Sequence, residues 1–178
     1  LRPSLARDGI FNLRDLGGTP AGGDSVGRDH LLVRADALQL SSAETARALH
    51  EHGIRRVLDL RDDSERSETG TFHPAAGLDI EVVHLPVLDP TYEWEVLDVP
   101  RDALLAHRYA DILMSFGDRF ATAVRTVAEA DGGVAFHCAV GKDRTGLLAM
   151  LLLGALGSPR EAIVADYVRS ARAGAVQV

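Results

Sequence analysis

Val134-Ala135-Phe136-His137-Cys138-Ala139-Val140-Gly141-Lys142-Asp143-Arg144-Thr145-Gly146 leads from one apolar stretch, through a short polar turn, into a second apolar stretch covering residues 145–156. The first stretch is brief and entered through Gly132-Gly133, as a buried strand is, whereas the second is long enough for three helical turns and apolar all round, as a central buried helix is. A strand, a tight loop and a helix N-terminus in this order aim successive backbone N–H groups at one point. That makes a cradle for a tetrahedral dianion.

Outward from this segment, residues 31–33, 54–58 and 80–85 read as further short strands bounded by Gly, Asp or Pro. Ser41 followed by Glu44 has capping-box spacing ahead of a helix reaching about Glu51. Residues 101–116 and 118–130 read as two helices broken near Gly117. After the buried helix, Gly157 suits a left-handed stop, Ser158 caps the next helix, Pro159 fits its first turn and Glu161 closes the box. Strands alternating with helices predict an α/β fold: a central, mostly parallel twisted sheet flanked by helices on both faces, with the anion-binding loop between a central strand and the buried helix. At 178 residues, with no polar linker or internal repeat, residues 1–178 are expected to form one domain.

The chain is 46% hydrophobic and 25% charged, with both signs mixed along its length, which argues against disorder and fibrous classes. Its formal charge of −7 argues against nucleic acid as the main partner. The longest apolar run, residues 147–156, is too short to cross a bilayer, and the N-terminus lacks a signal-peptide pattern, so no stable membrane insertion is expected. A cytoplasmic location is the default, with export as an effector left open. Cys138 is the only cysteine, which excludes an internal disulfide and zinc sites built from several thiolates. His50 and His52 flank Glu51 at the wrong spacing for a helical zinc motif, so neither metal nor cofactor is expected. The single lysine, Lys142, lies four residues from that single cysteine.

A thiol at the base of the cradle is acted on by the helix dipole and the backbone N–H groups, both of which favour the thiolate. Cys138 is therefore the candidate nucleophile. Arg144, six residues later, can fold back and grip two phosphate oxygens with its planar fork, a bidentate hold that lysine does not reproduce. Thr145 can donate its hydroxyl toward the sulfur, and Gly141 permits a backbone turn that a side chain would obstruct. Ala139, Val140, Gly141, Lys142, Asp143 and Arg144 are the candidate phosphate-binding residues. His137 is expected to tune the loop by hydrogen bonding. Lys142 either is solvated or meets a second anionic group on the substrate. A Walker loop is excluded, because Phe136 and Asp143 stand where it requires Gly and Ser or Thr.

Cys, five residues, Arg, then Thr resembles the signature loop of the protein tyrosine phosphatase superfamily. The fuller string is similar to a bacterial branch carrying His-Cys-x-x-Gly-Lys-Asp-Arg-Thr-Gly, which acts on phosphotyrosine and in part on phosphoserine, phosphothreonine or phosphoinositides. Asn12-Leu13-Arg14-Asp15-Leu16-Gly17-Gly18 resembles that branch's N-terminal landmark, Asp59-Leu60-Arg61 with Glu65 a second, and Asp166-Tyr167 with Ser170 a third. The resemblance implies a tyrosine-phosphatase-like fold, a phosphocysteine intermediate, and a phosphoprotein or phosphoinositide substrate. Two features depart from the pattern. No Trp-Pro-Asp tripeptide supplies a separate general acid, and the sequence ends at Val178, before the helices that cover the active site in related chains, so a C-terminal lid is expected to be truncated or missing.

Departure of a tyrosine oxygen requires a proton donor. Asp143, inside the cradle and at the position the branch uses for this step, is the first choice. Lys142 and Arg144 on either side favour its ionised form, a bias that a bound phosphate dianion opposes. Asp89, in Leu85-Pro86-Val87-Leu88-Asp89-Pro90 after a predicted strand, is the second, and Asp59 the third. Arg14 and Asp15 read as a structural turn, with contact to substrate as the alternative. Asp59, Arg61 and Glu65 read as a charge network at a strand end. The function expected is a cysteine-dependent phosphatase for phosphotyrosine. The alternatives are a phosphoinositide phosphatase and a phosphate-binding module without turnover.

Overall fold

The computed structural model describes residues 10–20, 32–93 and 98–174. Five strands, β1 (Arg14–Asp15), β2 (Leu32–Ala35), β3 (Ile54–Asp59), β4 (Glu81–His84) and β5 (Gly133–His137), form one sheet in the order β1-β2-β5-β3-β4. β2, β5, β3 and β4 run parallel, and only β1, at the edge beside β2, is antiparallel. The strand that leads into Cys138 is thus the central one. All five residues of β5 are buried, as expected of a parallel strand covered on both faces.

Side chains alternate between two cores. Val134 and Phe136 of β5 and Leu58 of β3 join one core with Ile112, Phe116, Phe120, Leu147, Leu148 and Leu152. Ala135 of β5, Val57 of β3 and Val33 and Ala35 of β2 join the other, with Leu38, Ala46 and Leu49. The first core packs against α3 (Arg101–Ala128) and α4 (Asp143–Ala155), the second against α1 (Ala43–Glu51). A short α2 (Asp63–Thr69) follows β3, and α5 (Arg160–Gly174) packs on α4.

Several sequence expectations are corrected. The cap of α1 is Ser42, which accepts from the Thr45 N–H, and not Ser41. The two helices expected around Gly117 form one kinked helix, α3, with only Phe116 outside helical geometry (φ −122°, ψ 18°). A glycine next to a large, buried aromatic bends the helix without ending it. α4 starts at Asp143, not Thr145, and Gly154 and Ala155 at its C-terminal end are exposed, so its burial stops at Leu153, short of residue 156. Gly157 takes the left-handed stop (φ 75°), with the Ser158 N–H bonding the Leu153 carbonyl at 2.9 Å, a Schellman closure. Ser158 does not cap α5, however. Its hydroxyl has no hydrogen-bond partner, and the Pro159 carbonyl takes the first bonds of that helix. Residue 31, expected in β2, lies outside the described residues.

Parallel pairing puts the C-terminal ends of β5 and β3 side by side. Asp59 registers with His137, and the Leu60 N–H continues the ladder to the His137 carbonyl at 2.9 Å. Cys138 follows immediately, at the carboxyl edge of the sheet where open α/β folds bind ligands.

Candidate active site

Residues 138–142 form a loop from β5 to α4. Cys138 is 2% exposed, and the Thr145 hydroxyl donates to its Sγ at 3.1 Å. α4 begins without a side-chain cap, and its first intrahelical bond runs from the Gly146 N–H to the Lys142 carbonyl at 2.8 Å. The preceding N–H groups have no partner inside the helix, and with the positive end of the helix dipole they favour an anion. Gly141 sits at φ 66°, and a Cβ there would stand 2.5 Å from the Ala35 carbonyl oxygen. Only glycine fits both that conformation and that approach.

Arg144 meets Glu65, the third residue of α2, through two parallel bonds of 2.5 and 2.6 Å. Glu65 also closes the box that starts α2, accepting from the Asp62 N–H while the Asp62 side chain accepts from its own. Burial works against the Arg144 charge, but Glu65 and then Cys138 outweigh it, so the guanidinium is held protonated more firmly than usual. Glu65 was expected only in a charge network. Seven polar residues with none buried gave α2 no hydrophobic period to reveal it.

Asp59 and Arg61 do form the expected network. Arg61 is fully buried and forks onto Asp59 at 2.9 and 2.7 Å, while also reaching the Thr69 hydroxyl and the Gly70 carbonyl. Burial pushes the Asp59 carboxyl up, but the Arg61 bonds prevail and hold it below its ordinary value. A carboxylate so engaged is poorly suited to donate a proton. His137, fully buried, is pushed down to about 4 by burial and is therefore neutral near pH 7. Its Nδ1 lies 3.3 Å from the Cys138 carbonyl, and its Nε2 is 3.9 Å from Asp59.

Asp143 is half-exposed and accepts a hydrogen bond from the Tyr109 hydroxyl of α3, which in turn contacts the Tyr167 hydroxyl of α5 at 2.6 Å. Burial, then the bond to Asp143, pushes the Tyr109 phenol well above its usual value, so it serves as a hydrogen-bond donor. Of the two flanking cations, Lys142 lies 3.8 Å from Asp143, whereas Arg144 turns to Glu65. Asp89 lies in an exposed turn. Its carboxylate accepts from the Thr91 N–H and hydroxyl at 3.0 and 2.7 Å, which hold it below its ordinary value, and Arg119 stands at 3.5 Å. None of these bonds reaches the loop.

The N-terminal and C-terminal landmarks meet behind the loop. Arg14 donates to Asp166 at 2.7 Å and to the Ser170 hydroxyl at 2.8 Å, so it ties β1 to α5. Arg14 and Asp15 are strand β1 and not the turn expected; Asp15 accepts from the Gly17 N–H at 2.6 Å, at the entry to the turn that follows, and pairs with His52 at 2.9 Å. Arg34 of β2, which no sequence pattern singled out, is fully buried; it bonds Asp166 and donates to the Gly141 carbonyl at 2.7 Å. The Asn12 amide donates to that same oxygen at 2.8 Å. Among the described residues, no group of three or more His, Cys, Asp or Glu is placed to hold a metal ion, and no helix is long and apolar enough to cross a membrane.

A cysteine sulfur, an arginine and an uncapped helix start meet at one loop. A Cupriavidus necator protein named as a putative tyrosine-protein phosphatase is 37% identical over 180 residues, covering 95% of this chain and 63% of its own length. The triple specificity protein phosphatase PtpB of Mycobacterium tuberculosis is 29% identical over 189 residues, covering 91% of this chain and 67% of its own. This chain thus spans less than two thirds of the Cupriavidus relative. The solved structure of P. aeruginosa TpbA superposes with a TM-score of 0.40 at 18% identity, over 88% of this chain and 71% of that one. The model of the tyrosine phosphatase family matches residues 5–177, nearly the whole sequence, and the chain belongs to that family.

Proposed function

We propose that this chain is a cysteine-dependent phosphatase of the bacterial branch with the His-Cys-x-x-Gly-Lys-Asp-Arg-Thr-Gly loop, hydrolysing phosphotyrosine through a phosphocysteine. The observation that carries this reading is the Thr145 hydroxyl, 3.1 Å from a cysteine sulfur at the foot of an uncapped helix. That hydroxyl stabilises a thiolate, both before attack and as the leaving group afterwards.

In the first step the Cys138 thiolate attacks phosphorus. The S–P bond forms, the P–O bond to tyrosine breaks, and the departing oxygen takes a proton from Asp143. The half-exposed carboxyl of Asp143, at the loop's rim, is better placed for this than the buried Asp59 or the turn-bound Asp89. In the second step a water molecule gives a proton to Asp143 and attacks phosphorus, the S–P bond breaks, and inorganic phosphate leaves with the thiolate restored. Arg144 and the N–H groups of residues 139–144 hold the equatorial oxygens throughout. Arg144 needs only to rotate partly from Glu65 toward the anion, since a guanidinium has donors enough for both.

The reading takes residues 1–178 as one phosphatase domain and the cytoplasm as its location, with phosphoproteins as partners and no cofactor. Phosphoserine and phosphothreonine are further substrates on this reading. Phosphoinositides are a second reading, favoured by the cationic Lys142 in the loop. The acidic net charge weighs against strong recruitment to anionic membranes. Phosphate release from phosphotyrosine peptides and from soluble phosphoinositides, measured side by side, distinguishes the two. Loss of both in Cys138→Ser is the expected result. Absence of turnover in the unaltered chain would leave a phosphate-binding module.

A further inference from the structure

Arg34 points from the middle of β2 toward α5, with its side chain fully buried. Burying a guanidinium is costly unless its donors are satisfied, so its partners indicate its role. One nitrogen bonds Asp166, and another donates to the Gly141 carbonyl at 2.7 Å, the oxygen that Asn12 also holds at 2.8 Å. In a planar trans peptide the N–H points opposite to the C=O. Drawing the Gly141 oxygen toward the buried side therefore turns the Lys142 N–H the other way.

We propose that Arg34 is a positioning residue of the anion-binding loop: with Asn12 it locks the Gly141–Lys142 peptide so that the Lys142 N–H faces the anion, and it sets a permanent positive charge beneath the loop. The proposal rests on the phosphatase reading above. Asp166 receives Arg34 on one carboxylate oxygen and Arg14 on the other, so two arginines share one carboxylate and a net positive charge remains. Burial holds the Arg34 pKa below its ordinary value; Asp166 and Cys138 oppose that shift without cancelling it, and Arg14 adds to it. A Cβ at Gly146 would meet the Tyr167 ring at 3.1 Å and Arg34 at 3.7 Å, which shows how closely this cluster packs under the first turn of α4.

The test uses Arg34→Lys, Arg34→Met and Asn12→Ala in the whole chain, with thermal melting to establish that each is folded. The readouts are kcat and KM for p-nitrophenyl phosphate, inhibition by orthovanadate, and the pH midpoint of inactivation by iodoacetate. Misplacing one loop donor is expected to lower kcat by up to about 100-fold and to weaken vanadate in all three variants. Arg34→Met is expected to shift the inactivation midpoint to higher pH, and Arg34→Lys, which keeps the charge but not the fork, to restore the midpoint without restoring vanadate affinity. Folded Arg34 variants with unchanged vanadate inhibition and midpoint would overturn the proposal. If Arg34→Met does not fold, unchanged vanadate inhibition in Arg34→Lys and Asn12→Ala has the same force. Failure of the underlying reading is distinct: the unaltered chain would lack turnover, or Cys138→Ser would keep it.

Discussion

Arg144 is docked on Glu65 through two parallel bonds of 2.5 and 2.6 Å, so the arginine that would hold phosphate is oriented before any substrate arrives. Glu65 is itself fixed by the capping box of α2. Preorganisation of this kind lowers the cost of binding rather than adding a new contact to the substrate.

Removing that anchor should loosen Arg144 without removing it. Glu65→Ala is expected to reduce kcat/KM for an aryl phosphate by up to about 100-fold, the scale on which misplaced catalytic groups act. Arg144→Lys should be worse, because one ammonium replaces a bidentate fork. Steady-state kinetics on both variants checks the order, and equal activity of Glu65→Ala and the unaltered chain would refute the anchoring role.

Gly141 offers a steric test of the loop. Gly141→Ala places a methyl group 2.5 Å from the Ala35 carbonyl oxygen at a positive φ, so the loop must move away from β2. A destabilisation of about 1–3 kcal/mol is expected in urea unfolding, from backbone strain and overpacking. Turnover should fall further than stability, because displacing the loop also displaces its N–H groups.

The buried His137 predicts a pH dependence of folding with a definite sign. In the unfolded chain it titrates near its ordinary 6.5, and in the folded protein at about 4. Between these values the unfolded state binds more protons, so stability is full above about pH 6.5 and is lost as pH falls toward 4. At 1.36 kcal/mol per pH unit the loss amounts to roughly 3 kcal/mol. Urea unfolding at pH 7 and pH 5 should show about 2 kcal/mol of it, and His137→Asn should flatten the His137 part of the curve.

Tyr109 bears on the proton donor. If Asp143 protonates the leaving group, Asp143→Asn should slow a poor leaving group much more than a good one. Tyr109→Phe, which removes the hydrogen bond to Asp143 but keeps the ring, should change the same ratio in a smaller measure and shift the pH profile of kcat. Parallel losses on both leaving groups would instead assign Asp143 to phosphate binding.

What was legible in the sequence was local. The strand, loop and helix around Cys138 are contiguous, and Thr145 and the stop at Gly157 act on neighbours a few residues away. Arg34 and Tyr109 escaped, and Glu65 was named without its Arg144 partner, because the loop partners lie 107, 34 and 79 residues distant, and nothing in a single arginine, tyrosine or glutamate announces such a partner. The Arg14 and Asp166 landmarks were visible as strings. Their meeting across 152 residues required the fold. α2 was hidden for another reason, since a helix with no buried face leaves no apolar period and is started by its capping box alone.

The covalent step is tested most directly by quenching the protein with acid during turnover of an aryl phosphate and mapping its peptides by mass spectrometry. One phosphoryl group should appear on Cys138, with more of it in Asp143→Asn if that residue also activates the water. Brisk hydrolysis with no phosphoryl on that sulfur, or hydrolysis that survives Cys138→Ser, would contradict the phosphocysteine route.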